Sequence, residues 1–169
     1  MKLPPSITAA TGMDALTHAI ESYVSKQASP ISQALAIQAI RMISINIKKA
    51  YFVGSDTEAR ENMLVASFLA GVAFTQSKLG NVHAISHTFG GVFDIPHGIA
   101  NATLLPYVVK FNLEACPELF RDVAVALGEN VTGLSDYDAG NKVVSYICEL
   151  NKSIGIPSNT EALGVKLDM

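Results

Sequence analysis

Histidine is scarce in this 169-residue chain, and three of its four copies, His83, His87 and His97, fall within the stretch NVHAISHTFGGVFDIPHGIA. The fourth, His18, stands in GMDALTHAIE, four residues after Asp14. Imidazole is the commonest protein metal ligand, and a carboxylate joined to several imidazoles suits a first-row transition ion. Residues four apart on a helix share a face, so Asp14 and His18 can reach one point, as can His83 and His87. His97 can return to that point through a turn at Gly90-Gly91. Five candidates thus compete for about four positions at a metal centre.

Other chemistries lack their residues. HAISH has the two-histidine spacing of a zinc protease helix, but Ala84 stands where that mechanism needs its glutamate. Cys116 and Cys148 lie far apart and form no ligand pair, which argues against a sulfur-ligated structural zinc. There is no G-x-S-x-G nucleophile elbow and no phosphate-cradling glycine loop.

The elements that must position these residues read as helices. Residues 1–10, with LPPS, read as a connection, because a residue before proline is pushed towards extended geometry. From Thr11 to about Lys26, Ala15, Leu16, Ala19, Ile20 and Tyr23 repeat at three and four. Ser29-Pro30 opens a second helix to about Phe52, carried by Ala34, Ile37, Ile40, Met42 and Ile45. Ser55 and Glu58 have capping-box spacing for a third. Its run MLVASFLAGVAF is apolar on every side, which predicts a buried helix with Gly71 at a close contact. HAISHTFGG predicts a short helix ending at Gly90-Gly91, and Pro96 can open the next, kinked at Pro106. Two amphipathic stretches follow, Glu118 to Leu127 and Asp138 to Ile154. No alternating strand is evident. The expectation is a single all-α domain over 1–169, a helical bundle. Its tail, GIPSNTEALGVKLDM, shows no capping or turn logic and reads as a boundary cut into a longer chain.

Composition sets the setting. Hydrophobic residues make up 49% and charged residues 16%, against about a quarter charged in an average soluble domain. That shortfall predicts a covered surface, by a partner subunit or by a further piece of chain, and a homo-oligomer is expected. A net charge of −3 with no block of like charges argues against nucleic acid and anionic membrane. The longest uncharged stretch, Asn62 to Ser77, is shorter than the ~18 apolar residues of a membrane span. Two isolated cysteines and the absence of a signal-peptide pattern suggest a reduced, cytoplasmic setting.

The blocks TAATGMDALTHAIESY and LGNVHAISHTFGGVFDIPHGIANATLLPYVVKFN closely resemble the C-terminal domain of the iron-containing (group III) alcohol dehydrogenases. The resemblance covers essentially the whole chain and implies the dehydroquinate synthase-like helical bundle of that family. It implies metal ligands at Asp14, His18, His83 and His97, with Fe2+ or Zn2+ as the ion. It places His87 off the metal, towards nicotinamide and substrate, as a residue for proton relay or positioning. The implied reaction is hydride transfer between a small primary alcohol or aldehyde and NAD or NADP, with the ion as Lewis acid on the substrate oxygen. Nothing here matches the family's N-terminal α/β cofactor-binding domain or its phosphate loop, so this chain reads as a fragment, inactive alone, whose missing N-terminal domain is its partner. No cofactor-binding residue can be assigned. Phe74 and Phe89 stand between two readings, core and pocket lining. Two alternatives remain, a non-catalytic helical metal-binding module and a glycerol dehydrogenase-like member of the same superfamily.

Overall fold

The structure, a computed structural model, describes residues 3–165. Seven α-helices and one short 3-10 turn make up its regular structure, with no strand among the described residues: α1 (Pro5–Val24), α2 (Pro30–Phe52), α3 (Thr57–Ser77), α4 (Asn81–Phe93), α5 (His97–Leu113), α6 (Pro117–Ala126), α7 (Asp136–Ser153) and a 3-10 turn at Glu161–Leu163. The all-helical expectation holds, and no single helix among the described residues is long and apolar enough to cross a membrane.

The other helices are arranged around α1, which packs against α2, α3 and α5 and touches α6. Its predicted stripe is buried: Ala15, Leu16, Ala19, Ile20 and Tyr23 all face the core. Its start differs from expectation. The helix begins at Pro5, with only Pro4 extended at its N-cap (ψ 152°). Proline is well suited to the first helical position, where its missing N–H has no partner to lose and its φ is already helical. The Tyr23 hydroxyl then donates to Asp122 Oδ2 at 2.7 Å, tying α1 to α6.

In α2 the Ser29 cap forms as its sequence suggests, reciprocated by Ser32. The buried stripe is Ala36, Ile40, Ile43 and Ile47, whereas Ile45 is exposed. The cap of α3 is Asp56, not Ser55: its Oδ1 accepts from Ala59 N at 2.9 Å. Nor is α3 buried on every side. Ala59, Ala66, Ala70 and Ala73 face inward, while Leu64 and Phe68 are 73% and 70% exposed. Small side chains let α3 approach α1 and α2 closely, so its large apolar residues are left on the outer face. Gly71 meets nothing within 4 Å of an added Cβ, which removes the close contact expected there.

Helix α4 runs straight through Gly90-Gly91 and stops at Asp94, which adopts the left-handed conformation (φ 54°). The turn that brings back His97 is therefore Asp94–Pro96. Pro96 is the N-cap of α5 rather than its first residue, and Pro106 lies inside that helix. The close approach lies at Gly98, where an added Cβ would collide with the backbone carbonyl of Ala10. Neither partner can swing aside, since one is main chain and the other a helix start. A Gly98→Ala substitution is expected to force α1 and α5 apart and destabilise the fold by about 1–3 kcal/mol, read as a lower denaturant midpoint at unchanged slope.

Asn151 Nδ2 donates to Ala102 O at 2.7 Å and pins α7 to α5. The tail has turn logic after all: Asn159 Oδ1 accepts from Ala162 N at 2.8 Å, and Gly164 turns with φ 84°. Its last four residues lie outside the described range.

Candidate metal centre

Three helices meet at the histidines. Helix α1 contributes Asp14 and His18, α4 contributes His83 and His87, and α5 contributes His97 in its first turn. Asp14 Oδ1 lies 3.7 Å from His83 Nε2 and 3.6 Å from His97 Nε2. Among the described residues, Asp14, His83 and His97 each offer a ligand atom to one point, all within 4.8 Å of one another. His18 stands beside this trio. Its Nδ1 is 3.8 Å from Asp14 Oδ2, and its ring is sandwiched between Phe74 and His83, with both centroids at 4.5 Å. Phe74 therefore forms a wall of the site, while Phe89 packs against the core and edge-on to Phe93. His87 stacks on His97 at 5.3 Å and meets His83 edge-on at 6.1 Å, so it flanks the same cluster on its solvent side.

Two further residues complete the arrangement, and neither stood out in the sequence. Asn101, one turn after His97, points its Nδ2 at three acceptors at once. It lies 2.6 Å from Asp14 Oδ1 and 3.0 Å from Nε2 of both His83 and His97. An amide nitrogen carries two hydrogens, so once both Nε2 atoms are unprotonated, as metal ligation requires, three lone pairs compete for two donors. Asn101 Oδ1 is buried without a partner. The second is Glu21, 3% exposed, whose Oε2 lies 2.7 Å from His83 Nδ1. Their spacing carried a faint signal: Asn101 is four residues after His97, and Glu21 is two turns after Asp14 on the same face.

The charge states follow from these neighbours. Burial alone pushes the Asp14 carboxyl up, but hydrogen bonds and charge from His83, His18, Asn101 and His97 outweigh it and hold the group below the usual carboxylate range. Burial pulls His18 and His97 below the ordinary imidazole value, against the opposing pull of Asp14. His83 goes the other way. Burial disfavours its charge, yet the Asp14 and Glu21 carboxylates on its two nitrogens raise it to about 9. In the metal-free chain His83 thus keeps a proton that the unfolded chain releases near 6.5. The resulting stabilisation is complete below about 6.5 and is lost as pH rises through 9. Melting temperature measured with a chelator present is expected to fall across that interval, and the fall should be absent from a His83→Gln variant.

An ionised carboxylate beside His18 and His97, both held below the ordinary imidazole value, is most of the deprotonated state that metal binding needs, and His83 gives up its proton as an ion binds. The surplus of lone pairs around the Asn101 amide is the mark of a set built for a cation. The residues present fit a divalent ion.

The model of the Fe-containing alcohol dehydrogenase family, C-terminal, matches residues 8–169. The chain is 55% identical to the 1,3-propanediol dehydrogenase of Klebsiella pneumoniae over 163 residues, 96% of this chain and 42% of that protein. It is 49% identical to the NAD-dependent methanol dehydrogenase of Bacillus methanolicus over 166 residues, 98% of this chain and 44% of that one. A crystal structure of a 1,3-propanediol oxidoreductase superposes with a TM-score of 0.96 at 54% identity, covering 97% of this chain and 43% of the other. The chain thus spans less than half the length of the curated relatives it matches. By sequence and fold, it belongs to the Fe-containing alcohol dehydrogenase family and corresponds to the C-terminal part of that family's proteins.

Proposed function

We propose that this chain is the metal-holding part of a nicotinamide-dependent alcohol dehydrogenase acting on a small primary alcohol or its aldehyde. The observation that carries the reading is the convergence of Asp14, His83 and His97 on one point, around a donor that cannot satisfy them all. Asp14, His18, His83 and His97 would hold one Fe2+ or Zn2+, two ions that both accept this mix of carboxylate and imidazole. When bound, such an ion supplies Lewis acidity towards a substrate oxygen.

The remaining residues shape what reaches that oxygen. Phe74 stacks on His18 and closes one side of the site with hydrocarbon. His87 and His97 are exposed, so the cluster is reached from the α4–α5 side. An alcohol entering there meets the His87 imidazole before the buried His83. His87 can take the alcohol's proton and pass it to solvent, or hold the substrate by a hydrogen bond. Hydride transfer itself is the work of NAD or NADP, and a cofactor-binding domain outside this chain would present the nicotinamide to the same opening. The relatives named for NAD dependence, methanol and 1,3-propanediol support that substrate class. Exposed Leu64 and Phe68 support a covering domain or a second subunit, and free Cys116 and Cys148 support a reducing, cytoplasmic setting.

Metal analysis and calorimetric titration with Zn2+ test the core of this reading, with one ion per chain expected. The chain by itself is expected to oxidise no alcohol with NAD or NADP, and turnover by the purified chain would contradict the division of labour. The complete enzyme should oxidise short primary alcohols in a manner abolished by a chelator and restored by Fe2+ or Zn2+.

A further inference from the structure

We infer that Glu21 is the positioning residue of the metal centre, holding His83 in the one tautomer and orientation that turns Nε2 towards the ion. This rests on the metal reading above and deepens it.

The geometry is specific. Glu21 is buried, at 3% exposure, on α1. Its Oε2 accepts from Gly80 N at 2.9 Å and lies 2.7 Å from His83 Nδ1, while its Oε1 accepts from Val82 N at 2.6 Å. Gly80 is the N-cap of α4 and makes no side-chain cap bond, so a carboxylate from a different helix does the capping. A carboxylate can only accept here, so Nδ1 must be the protonated nitrogen. The lone pair of a neutral His83 is then on Nε2, which faces Asp14 and His97. Carboxylate–histidine pairs of this kind fix ligand orientation and raise its basicity at metal sites.

The surroundings are shaped to this pose of the carboxylate. A Cβ at Gly80 would stand 2.8 Å from Glu21 Oε1, so glycine is the residue that admits it. On the far side, the Ser22–Ser77 hydroxyl pair at 2.7 Å and the Ser25 hydroxyl donating to Ser77 O hold the end of α3 against α1. One side chain therefore ties helix start, ligand orientation and proton placement together.

Glu21→Gln keeps the shape and changes the protons. A Gln carbonyl placed to accept from Val82 N turns its NH2 towards Gly80 N–H and His83 Nδ1, which favours the wrong imidazole tautomer. Placed the other way, it leaves Val82 N–H facing an NH2 group. Zn2+ affinity, measured by competition with a chromophoric chelator, is expected to fall roughly 10- to 100-fold. The visible spectrum of the Co2+-loaded protein should shift, reporting a changed ligand field. Gly80→Ala, which crowds the carboxylate without removing it, should weaken Zn2+ in the same direction. Ser22→Ala is the structural control: it removes a buried hydrogen bond at the same junction, and should lower the melting temperature while leaving Zn2+ affinity near wild type. Wild-type Zn2+ affinity and an unshifted Co2+ spectrum in Glu21→Gln would overturn the inference, as would an equal loss in Ser22→Ala. A wild-type chain that binds neither Zn2+ nor Co2+ would overturn the metal reading first.

Discussion

Alanine at Asp14, His83 or His97 is expected to take the divalent-ion content from one per chain to near zero. Each of these residues supplies one of the three atoms that converge on the site. His83→Ala should be the most damaging, because it also leaves the Glu21 carboxylate buried without its imidazole partner. Breaking a buried pair in that way typically costs about 3–5 kcal/mol, so melting temperature should fall together with metal content. His18→Ala is the informative case. Its ring is packed between Phe74 and His83, outside the three-atom cluster. Loss of metal in that variant is the expected result and means the imidazole turns to the ion when one is present. Full occupancy would reduce the donor set to three. If His97→Ala retains its metal while His87→Ala loses it, the assignment of the two histidines is reversed.

His87 carries the second large effect, tested in a complete enzyme that contains this chain. Replacing it by alanine or phenylalanine should lower turnover by ~100- to 10,000-fold, the range of general acid–base assistance, with metal content near wild type. In barrier terms that is about 3 to 5 kcal/mol. The loss should shrink at high pH, where bulk base accepts the proton in its place. An imidazole that merely packed against His97 would instead lower the melting temperature and leave the pH–rate profile unchanged. Full activity with an unaltered profile removes His87 from the mechanism.

The sequence disclosed the site unevenly, and the reasons are physical. Asp14, His18, His83, His87 and His97 were legible because ligand-type residues at four-residue spacing are rare in a chain with so few histidines. The period of α1 was legible throughout, while α2 kept Ile40 inside but left the predicted Ile45 exposed, and the clearest failure was α3. A run apolar at every position has no period, so nothing marked Ala66, Ala70 and Ala73 as the buried face and Phe68 as the exposed one. Helix ends depended on single dihedral angles: Pro5 entered α1 where two prolines suggested a barrier, and Asp94 rather than Gly90-Gly91 ended α4. Glu21 and Asn101 stayed hidden for a different reason. Their main partners lie on other helices, Glu21 with a histidine 62 residues away and Asn101 with an aspartate 87 residues away. Within their own helices both look like ordinary polar residues.

Those separations bear on how the chain reaches its native state. Every bond that joins α1 to the rest of the centre closes a loop of more than half a hundred residues, while the contacts inside α1, inside α5 and between α4 and α5 are shorter. Loop-closure entropy of this kind has to be met before the contacts reward it, so such pairings are late steps on a folding route. Helix pairs that are neighbours in sequence, α2 with α3 and α6 with α7, can form while the centre is still open. An ion that recognises only the finished constellation then acts on the native state and ignores everything before it. At a free concentration of about 1,000 times its dissociation constant it would add about 4 kcal/mol to the folded state, chiefly by slowing unfolding. Metal supply would thus govern the lifetime of the folded chain far more than the speed at which it folds.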